Sequence, residues 1–402
     1  MTAFAAVMTG KGTGAISTIQ LFGDTAEAVI KKIFKPAGKE QATLQPGKIL
    51  LGTIVDTEET IDHVTIGCEG PDTFAINCHG NPLIVEMIMQ LLRRQGVKLL
   101  TADQLLTKTM SEQKHINTIE LEAKLIQPRV KTIQGTKLIA NQIHAGLSEK
   151  IAEWLENISV ESIGQIKNDA GRILKNSQPA KLIITGCKAV IAGPPNTGKS
   201  TLLNCLAGRQ KAIVTDIKGT TRDWVSARCK IGPLSVELID TAGMGQELAA
   251  ASERVVEKAS QQKTAQILED ADLVLLVLDI SRPVEHIDDR LLEKIADKLA
   301  LSKPKGKVLT VLNKSDLPAR FDTGKLPGIL ANTVQISAKF QTGIEDLTGK
   351  IQKLTGVADF DLHTTVCFTL RQENLLKQLK NVKSKEQAAS IITELLNGRL
   401  HV

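Results

Sequence analysis

The stretch Gly193-Pro-Pro-Asn-Thr-Gly-Lys-Ser200 constrains this chain more than any other. It fits the spacing G-x-x-x-x-G-K-[ST] without a mismatch. The apolar run Ala189-Val-Ile-Ala192 before it predicts a buried strand. Thr201-Leu-Leu-Asn-Cys-Leu-Ala207 after it predicts a helix that opens at Lys199 and stops at Gly208. Strand, glycine loop and helix N-terminus in that order make an anion site, because backbone N–H groups and the helix dipole converge on one point. Thr197, Gly198, Lys199, Ser200 and Thr201 then line a phosphate cradle, with Lys199 reaching the β- and γ-phosphates and the Ser200 hydroxyl on Mg²⁺. A chance glycine turn is the alternative, and the motifs downstream decide against it.

Asp240-Thr-Ala-Gly243 ends a predicted strand, where Asp240 can support the Mg²⁺ shell and the Gly243 N–H can meet the γ-phosphate. Asn313-Lys-Ser-Asp316 ends another. A carboxylate at Asp316 accepts from guanine N1–H and N2–H₂, a pair of donors that adenine lacks, so GTP is selected over ATP. Asn313 and Lys314 brace the base and the loop, and the backbone of Ser337-Ala338-Lys339 offers an N–H to guanine O6. Each short motif alone is an ordinary polar turn; all of them in this order, each at a strand end, are a nucleotide site. The residue after Gly243 is Met244, which cannot orient a water, so another group must. Asn196 in the loop can offer its amide oxygen to a monovalent cation bridging the phosphates, or serve only to shape the loop.

The rest of the chain arranges itself around that site. Its 402 residues carry a net charge of +6, too mild to signal nucleic-acid contact, although they allow it. Aromatic residues make up 2% with no tyrosine, which argues against a base-stacking surface. Six scattered cysteines without a C-x-x-C pair read as buried hydrophobes in a reducing compartment. No apolar run reaches membrane-spanning length and the N-terminus lacks a basic leader, so the expectation is a cytoplasmic protein without membrane contact.

Residues 1–100 read as a small α+β domain, with strands at 4–8, 15–21, 49–55, 64–68 and 74–78. Helices are expected at 24–34, with Asp24 as N-cap, and at 82–95. The glycines at 10, 12 and 14 make a turn, and Cys78-His79 reads as a strand-to-helix turn, not a metal pair. Residues 101–183 have helical periodicity and predict the first part of a helical domain, with Gln178-Pro179-Ala180 as linker. Residues 184–355 alternate strand and helix, which predicts a doubly wound, mostly parallel sheet of the Ras-like kind. Residues 356–402 return to helix and are expected to pack on 101–183. The fold class is therefore multidomain α/β and α, with the nucleotide domain inserted into a helical bundle.

Ala212-Ile-Val-Thr-Asp-Ile-Lys-Gly-Thr-Thr-Arg-Asp223, together with the loop around Asn196, resembles the MnmE (TrmE) tRNA-modification GTPase family. Ile19-Gln-Leu-Phe-Gly23, Leu51-Gly-Thr-Ile-Val-Asp56 and Ile76-Asn-Cys-His-Gly80 look like that family's folate-binding N-terminal domain. The resemblance spans nearly the whole chain and is strongest over 184–355. It implies a K⁺-stimulated GTPase that turns GTP into GDP and phosphate. The family works as a homodimer with a flavoprotein (MnmG, also called GidA) on the wobble uridine of tRNA. By resemblance, Asn196, Thr220 and the carbonyls of Thr215 and Ile217 hold K⁺, and Thr221 reaches Mg²⁺. The family's catalytic glutamate falls on Glu257, with Glu253 as the alternative because of an Ala-rich insertion at 248–251.

Three departures bear on the chemistry outside GTP hydrolysis. Gln20 stands where the family has arginine, Gly70-Pro-Asp-Thr73 replaces a Ser-Tyr-Thr-Gly-Glu type loop, and the family's Cys-Ile-Gly-Lys motif is not met before Arg399-Leu-His-Val402. They put binding of a tetrahydrofolate derivative in question. They also lead to the expectation that hydrolysis is kept while uridine modification is weak, altered or supplied by a partner. Cys367, in the apolar stretch Thr365-Val-Cys-Phe368, is expected to be a buried structural thiol. The alternative is a GTP-gated binding switch, in ribosome assembly or as a scaffold, without modifying chemistry.

Overall fold

The computed structural model describes residues 2–10, 12–38, 44–111, 117–208, 225–240, 270–283, 307–326, 328–398 and 400. The chain divides into two compact units, Met1–Leu121 with Asn397–Val402, and Glu122–Leu396.

The first unit is built on a seven-stranded sheet in the order β3-β4-β5-β6-β2-β1-β7. Its strands are β1 (Phe4–Val7), β2 (Ile16–Phe22), β3 (Phe34–Pro36), β4 (Ile49–Asp56), β5 (Glu59–Cys68), β6 (Thr73–His79) and β7 (Lys98–Leu99). All pairs are antiparallel except β1 with β7. Alternation puts Ile19, Leu21, Ile66 and Ile76 into one core, which the apolar stripes of α1 (Ala26–Ile33) and α2 (Pro82–Arg94) complete through Ile30, Ile88 and Leu92. Strands β3 and β7 were not expected; at three and two residues they are too short to carry a periodic signal.

Asp24 is not the N-cap of α1. The Ala26 N–H bonds to the Gly23 carbonyl, so the turn runs one residue further, and Thr25 takes the cap position without a side-chain bond. Asn81 caps α2 through the Leu83 N–H (2.9 Å), with Pro82 in the first turn. The preceding turn is fixed twice. Buried Asp62 accepts from the His79 backbone (2.8 Å) and meets its Nδ1 (2.7 Å). A Cβ on Gly80 would stand 2.3 Å from the Gly14 carbonyl oxygen, so only glycine lets these two loops touch.

The helices that follow are α3 (Ala102–Ser111), α4 (Thr118–Ile126), α5 (Ile133–His144), α6 (Leu147–Glu156) and α7 (Ile163–Thr185). The expected linker at 178–180 lies inside α7. Pro179 removes one helical hydrogen bond, but Ile173, Ser177, Ala180 and Ile184 recur at helical spacing as buried residues and carry the helix through it. The helix then meets the next strand through Gly186 alone (φ +86°). No described helix is long and apolar enough to cross a membrane.

Near the end of the chain, α10 (Leu370–Leu379) packs on α7 and is followed by α11 (Lys385–Asn397). A buried carboxylate ties them to α4. Glu122 accepts from Thr369 Oγ1 (2.8 Å), Arg371 Nε (2.9 Å) and Nη2 (2.9 Å), and Gln372 Nε2 (2.6 Å). Buried Gln142 does similar work on α5, accepting from the Leu147 and Val366 N–H groups and donating to the Leu138 and Thr364 carbonyls. All six cysteines are buried. Burial pushes Cys78 up to about 11 and both Cys187 and Cys229 up to about 12, and raises Cys367, so none of these four is a thiolate at neutral pH.

A six-stranded sheet in the order β13-β12-β11-β8-β10-β9 organises the nucleotide motifs. It comprises β8 (Cys187–Ala192), β9 (Val225–Ile231), β10 (Leu234–Asp240), β11 (Leu273–Asp279), β12 (Lys307–Asn313) and β13 (Thr333–Gln335). Every pair is parallel except β10 with β9. Strand β11 is buried along its whole length, as a central parallel strand must be. Helix α8 (Lys199–Gly208) follows β8, and α9 (Ile344–Thr355) follows β13. The strands end in Ala192, Asp240, Asp279 and Asn313, so one edge of the sheet gathers the polar residues where such sheets bind ligands.

Candidate functional site

The loop between β8 and α8 is shaped by close contacts. A Cβ on Gly193 (φ +146°) would fall 2.2 Å from the Val277 carbonyl oxygen, and one on Gly198 (φ +93°) 2.3 Å from Asn313 Nδ2. Both positions therefore need glycine. Asn196 also takes a left-handed backbone (φ +63°), and it stands exposed at the tip. Thr197 braces the turn through its hydroxyl, which donates to the Pro194 carbonyl (3.0 Å).

Lys199 is 6% exposed, and its Nζ donates to the carbonyls of Gly193 (2.9 Å) and Pro194 (2.7 Å). Burial lowers its pKa, partly offset by the Asp240 carboxylate nearby. An ammonium this deep, held among the described residues by carbonyl dipoles and one carboxylate, is an electrostatic demand for anionic oxygens. Next to it, the Ser200 hydroxyl donates to Asp240 Oδ2 (2.7 Å). A hydroxyl and a carboxylate at that separation form a hard oxygen set of the kind that takes Mg²⁺, and the buried ammonium beside it suits a polyphosphate.

Asn313 joins the loop to the segment that follows β13. Its Nδ2 donates to the Thr197 carbonyl (2.8 Å), and its Oδ1 accepts from the Ala338 N–H (2.9 Å). Asp316 Oδ1 accepts from the Ser337 hydroxyl (2.6 Å), which in turn accepts from the Phe340 N–H (3.3 Å). The last strand stops at Gln335, and Ser337 is held instead by a bridge to Thr342. Lys339 lies over the Phe340 ring. The structure thus brings Thr197, Lys199, Ser200, Asp240, Asn313, Asp316, Ser337 and Ala338 to one edge of one sheet. Thr215, Ile217, Thr220, Thr221, Gly243, Met244, Glu253 and Glu257 lie outside the described residues.

One residue of the site was missed in the sequence. Asp279, at the end of β11 and 5% exposed, accepts from Lys314 Nζ (2.6 Å), the Ser281 N–H (3.0 Å) and the Ser281 hydroxyl (2.6 Å). Burial pushes its pKa up, but the hydrogen bonds from Lys314 and Ser281 outweigh it and hold the carboxyl below its ordinary range. Lys314 has φ +66°, so Asp279 anchors the side chain of a residue in a strained backbone region. The available signal was an apolar strand ending in aspartate, the same pattern as Asp240.

Two family models match the chain. Residues 188–314 match the one described as 50S ribosome-binding GTPase, and residues 3–104 the one described as GTP-binding protein TrmE N-terminus. The tRNA modification GTPase MnmE of Clostridioides difficile (strain 630) is 31% identical over 385 residues, covering 87% of this chain and 81% of that protein. The protein of the same name from Bacillus subtilis (strain 168) is 31% identical over 421 residues, covering 94% and 88%. That from Acetivibrio thermocellus is 31% identical over 409 residues, covering 92% and 86%.

Proposed function

Because this chain belongs to the MnmE family of tRNA modification GTPases, we propose that its sheet-edge site is a K⁺-stimulated GTPase centre serving the modification of wobble uridine. The chain is a GTP-hydrolysing enzyme. The observation that carries the site assignment is the buried Lys199 ammonium beside the Ser200–Asp240 pair, on the same edge as Asp316. Lys199 takes the β- and γ-phosphate oxygens in place of its present carbonyl partners, with Gly198, Thr197 and Thr201 around it. Ser200, Asp240 and Thr221 hold Mg²⁺, which supplies charge neutralisation at the phosphates when bound. Asp316 accepts from the guanine edge, and the segment Ser337-Ala338-Lys339 presents its backbone to O6. Asn196, Thr220 and the carbonyls of Thr215 and Ile217 hold K⁺. Glu257 orients the attacking water, with Glu253 as the second choice; Met244 lacks the polar atom to do it.

In this reading the GTPase domain, 184–355, is inserted between helical segments 101–183 and 356–402, and 1–100 forms the N-terminal domain of a cytoplasmic homodimer. A flavoprotein of the MnmG type and tRNA are its partners. The family's tetrahydrofolate ligand finds a poor fit at one position: Gln20 donates its amide to the Glu69 carboxylate (2.7 Å), which leaves negative charge where an anionic ligand would need a cation. A binding switch without modifying chemistry is favoured by one observation, the match of 188–314 to GTPases described as ribosome-binding. Co-purification with ribosomal subunits and not with the flavoprotein would select it.

Two expected outcomes test the centre. GTP turnover runs at least tenfold faster in K⁺ than in Na⁺, and Asn196→Ala erases the difference with little change in GTP affinity, as stopped-assay turnover in matched chloride salts will read. Equal rates in the two salts would remove the cation from the account. Asp279→Asn, which weakens a charge-assisted bond of about 1.5–3 kcal/mol, raises the KM for GTP about tenfold with kcat nearly unchanged. A fall in kcat at constant KM would show that Asp279 does something other than anchor Lys314.

A further inference from the structure

The nucleotide site leaves unused a stripe of lysines on the helical part of the second unit. Helix α7 carries Lys167, Arg172, Lys175 and Lys181 against one carboxylate, Asp169. Lys167, Gly171 and Lys175 are spaced by four and share one face of the helix. Gly171 leaves a gap there that a neighbouring lysine crosses: the Lys380 Cε lies 3.8 Å from the point a Cβ on Gly171 would occupy. The chain then continues along the first two turns of α7, a rise of about 12 Å. Lys383 stands exposed, and Lys385 reaches the Ser159 carbonyl just before α7 begins. Lys167 and Lys175 thus flank the point where Lys380 crosses α7, and Lys383 stands exposed three residues further along the chain.

Of the carboxylates nearby, Asp169 is held by Arg172 (2.8 Å) with Lys150 at 3.7 Å and Glu373 pairs with Lys377, while one oxygen of Glu161, just before α7, has no hydrogen-bond partner among the described residues. Among the described residues, no ion pair neutralises Lys167, Lys175, Lys380 or Lys383. Like charges gathered on one surface repel one another, and a polyanion with regularly spaced charges relieves that repulsion. The heads are lysine ammoniums, point charges suited to phosphate oxygens and not to bidentate reading of base edges. With 2% aromatic residues and no tyrosine, the chain has little with which to stack bases.

We propose that this α7–α10 lysine stripe is a docking surface for the phosphodiester backbone of RNA, positioning it without reading its sequence. The proposal rests on the tRNA reading above and names the surface that reading lacks. Backbone contact of this kind is salt-dependent, each neutralised phosphate adding about 0.7–0.9 to the slope of log affinity against log salt.

The test is fluorescence anisotropy of the full chain with a labelled, unmodified tRNA transcript over a range of KCl concentrations. The expected result is that the triple variant Lys167→Ala, Lys380→Ala, Lys383→Ala binds at least tenfold more weakly, with a slope shallower by about 2. The corresponding triple arginine variant retains binding, and GTP turnover without RNA is unchanged in both. Wild-type affinity and slope in the alanine variant would make the stripe an ordinary solvated face. No tRNA binding by the wild-type chain would overturn the tRNA reading itself and the proposal with it. Alanine-sensitive binding to phosphatidylserine vesicles with tRNA binding unaffected would assign the stripe to a membrane surface and overturn the proposal alone.

Discussion

Lys199→Ala is expected to lower kcat/KM for GTP by at least a thousandfold, about 4 kcal/mol in transition-state stabilisation. The magnitude follows from where the ammonium sits. It is nearly inaccessible, burial depresses its pKa, and its partners are the Gly193 and Pro194 carbonyls. A charge kept in so poor a solvent interacts strongly with phosphate oxygens, most of all when negative charge accumulates on them. Alanine also removes the brace between the two ends of the loop. Circular dichroism and thermal melting of the variant will separate loss of fold from loss of function. A decrease below tenfold in a folded variant would mean that Lys199 does not touch the phosphates.

The largest expected effect on stability lies far from that site. Glu122→Ala should cost about 3–5 kcal/mol in urea unfolding of the helical part, because it strips the acceptor from Arg371, Gln372 and Thr369 at once. Arg371 keeps two other partners, the carbonyls of Glu394 and Leu395, but its charge loses its counterion in a setting where its side chain is only 22% exposed. Glu122→Gln, which keeps one acceptor oxygen and no charge, should fall between wild type and alanine. A cost under 1 kcal/mol for the alanine variant would show that the cluster is solvated and not a clasp.

These two residues also mark what can be read from a chain alone. Lys199 announces itself because its partners are within six positions, and the strand, loop and helix that place it are contiguous in sequence. Asp240 and Asn313 are legible for another reason, each being the last residue of an apolar strand, although their partners lie 25 to 116 positions away. Glu122 gives no such notice, since its partners follow some 250 residues later and only the tertiary fold joins them. Asp279 is intermediate: its position at a strand end is visible, its bond to Lys314 across two parallel strands is not. Pro179 misleads for another reason. Local chemistry says break, while the buried faces before and after it make continuing the helix worth more than one lost hydrogen bond. Strand β3 is held mainly by pairing with β4, a tertiary fact without a local pattern.

The central claim is that the edge carrying Lys199 and Asp316 recognises a guanine nucleotide. In the present structure one oxygen of Asp316 accepts from the Ser337 hydroxyl, which orients the carboxylate. Titration calorimetry of the wild-type chain and Asp316→Asn with GTP, XTP and ATP in the presence of Mg²⁺ measures this directly. Wild type should bind GTP at least about 100-fold more tightly than ATP. Asp316→Asn, by exchanging an acceptor for a donor, should lose GTP affinity and gain affinity for XTP. Equal binding of ATP and GTP by the wild-type chain, with GTP affinity unmoved in Asp316→Asn, would contradict the account.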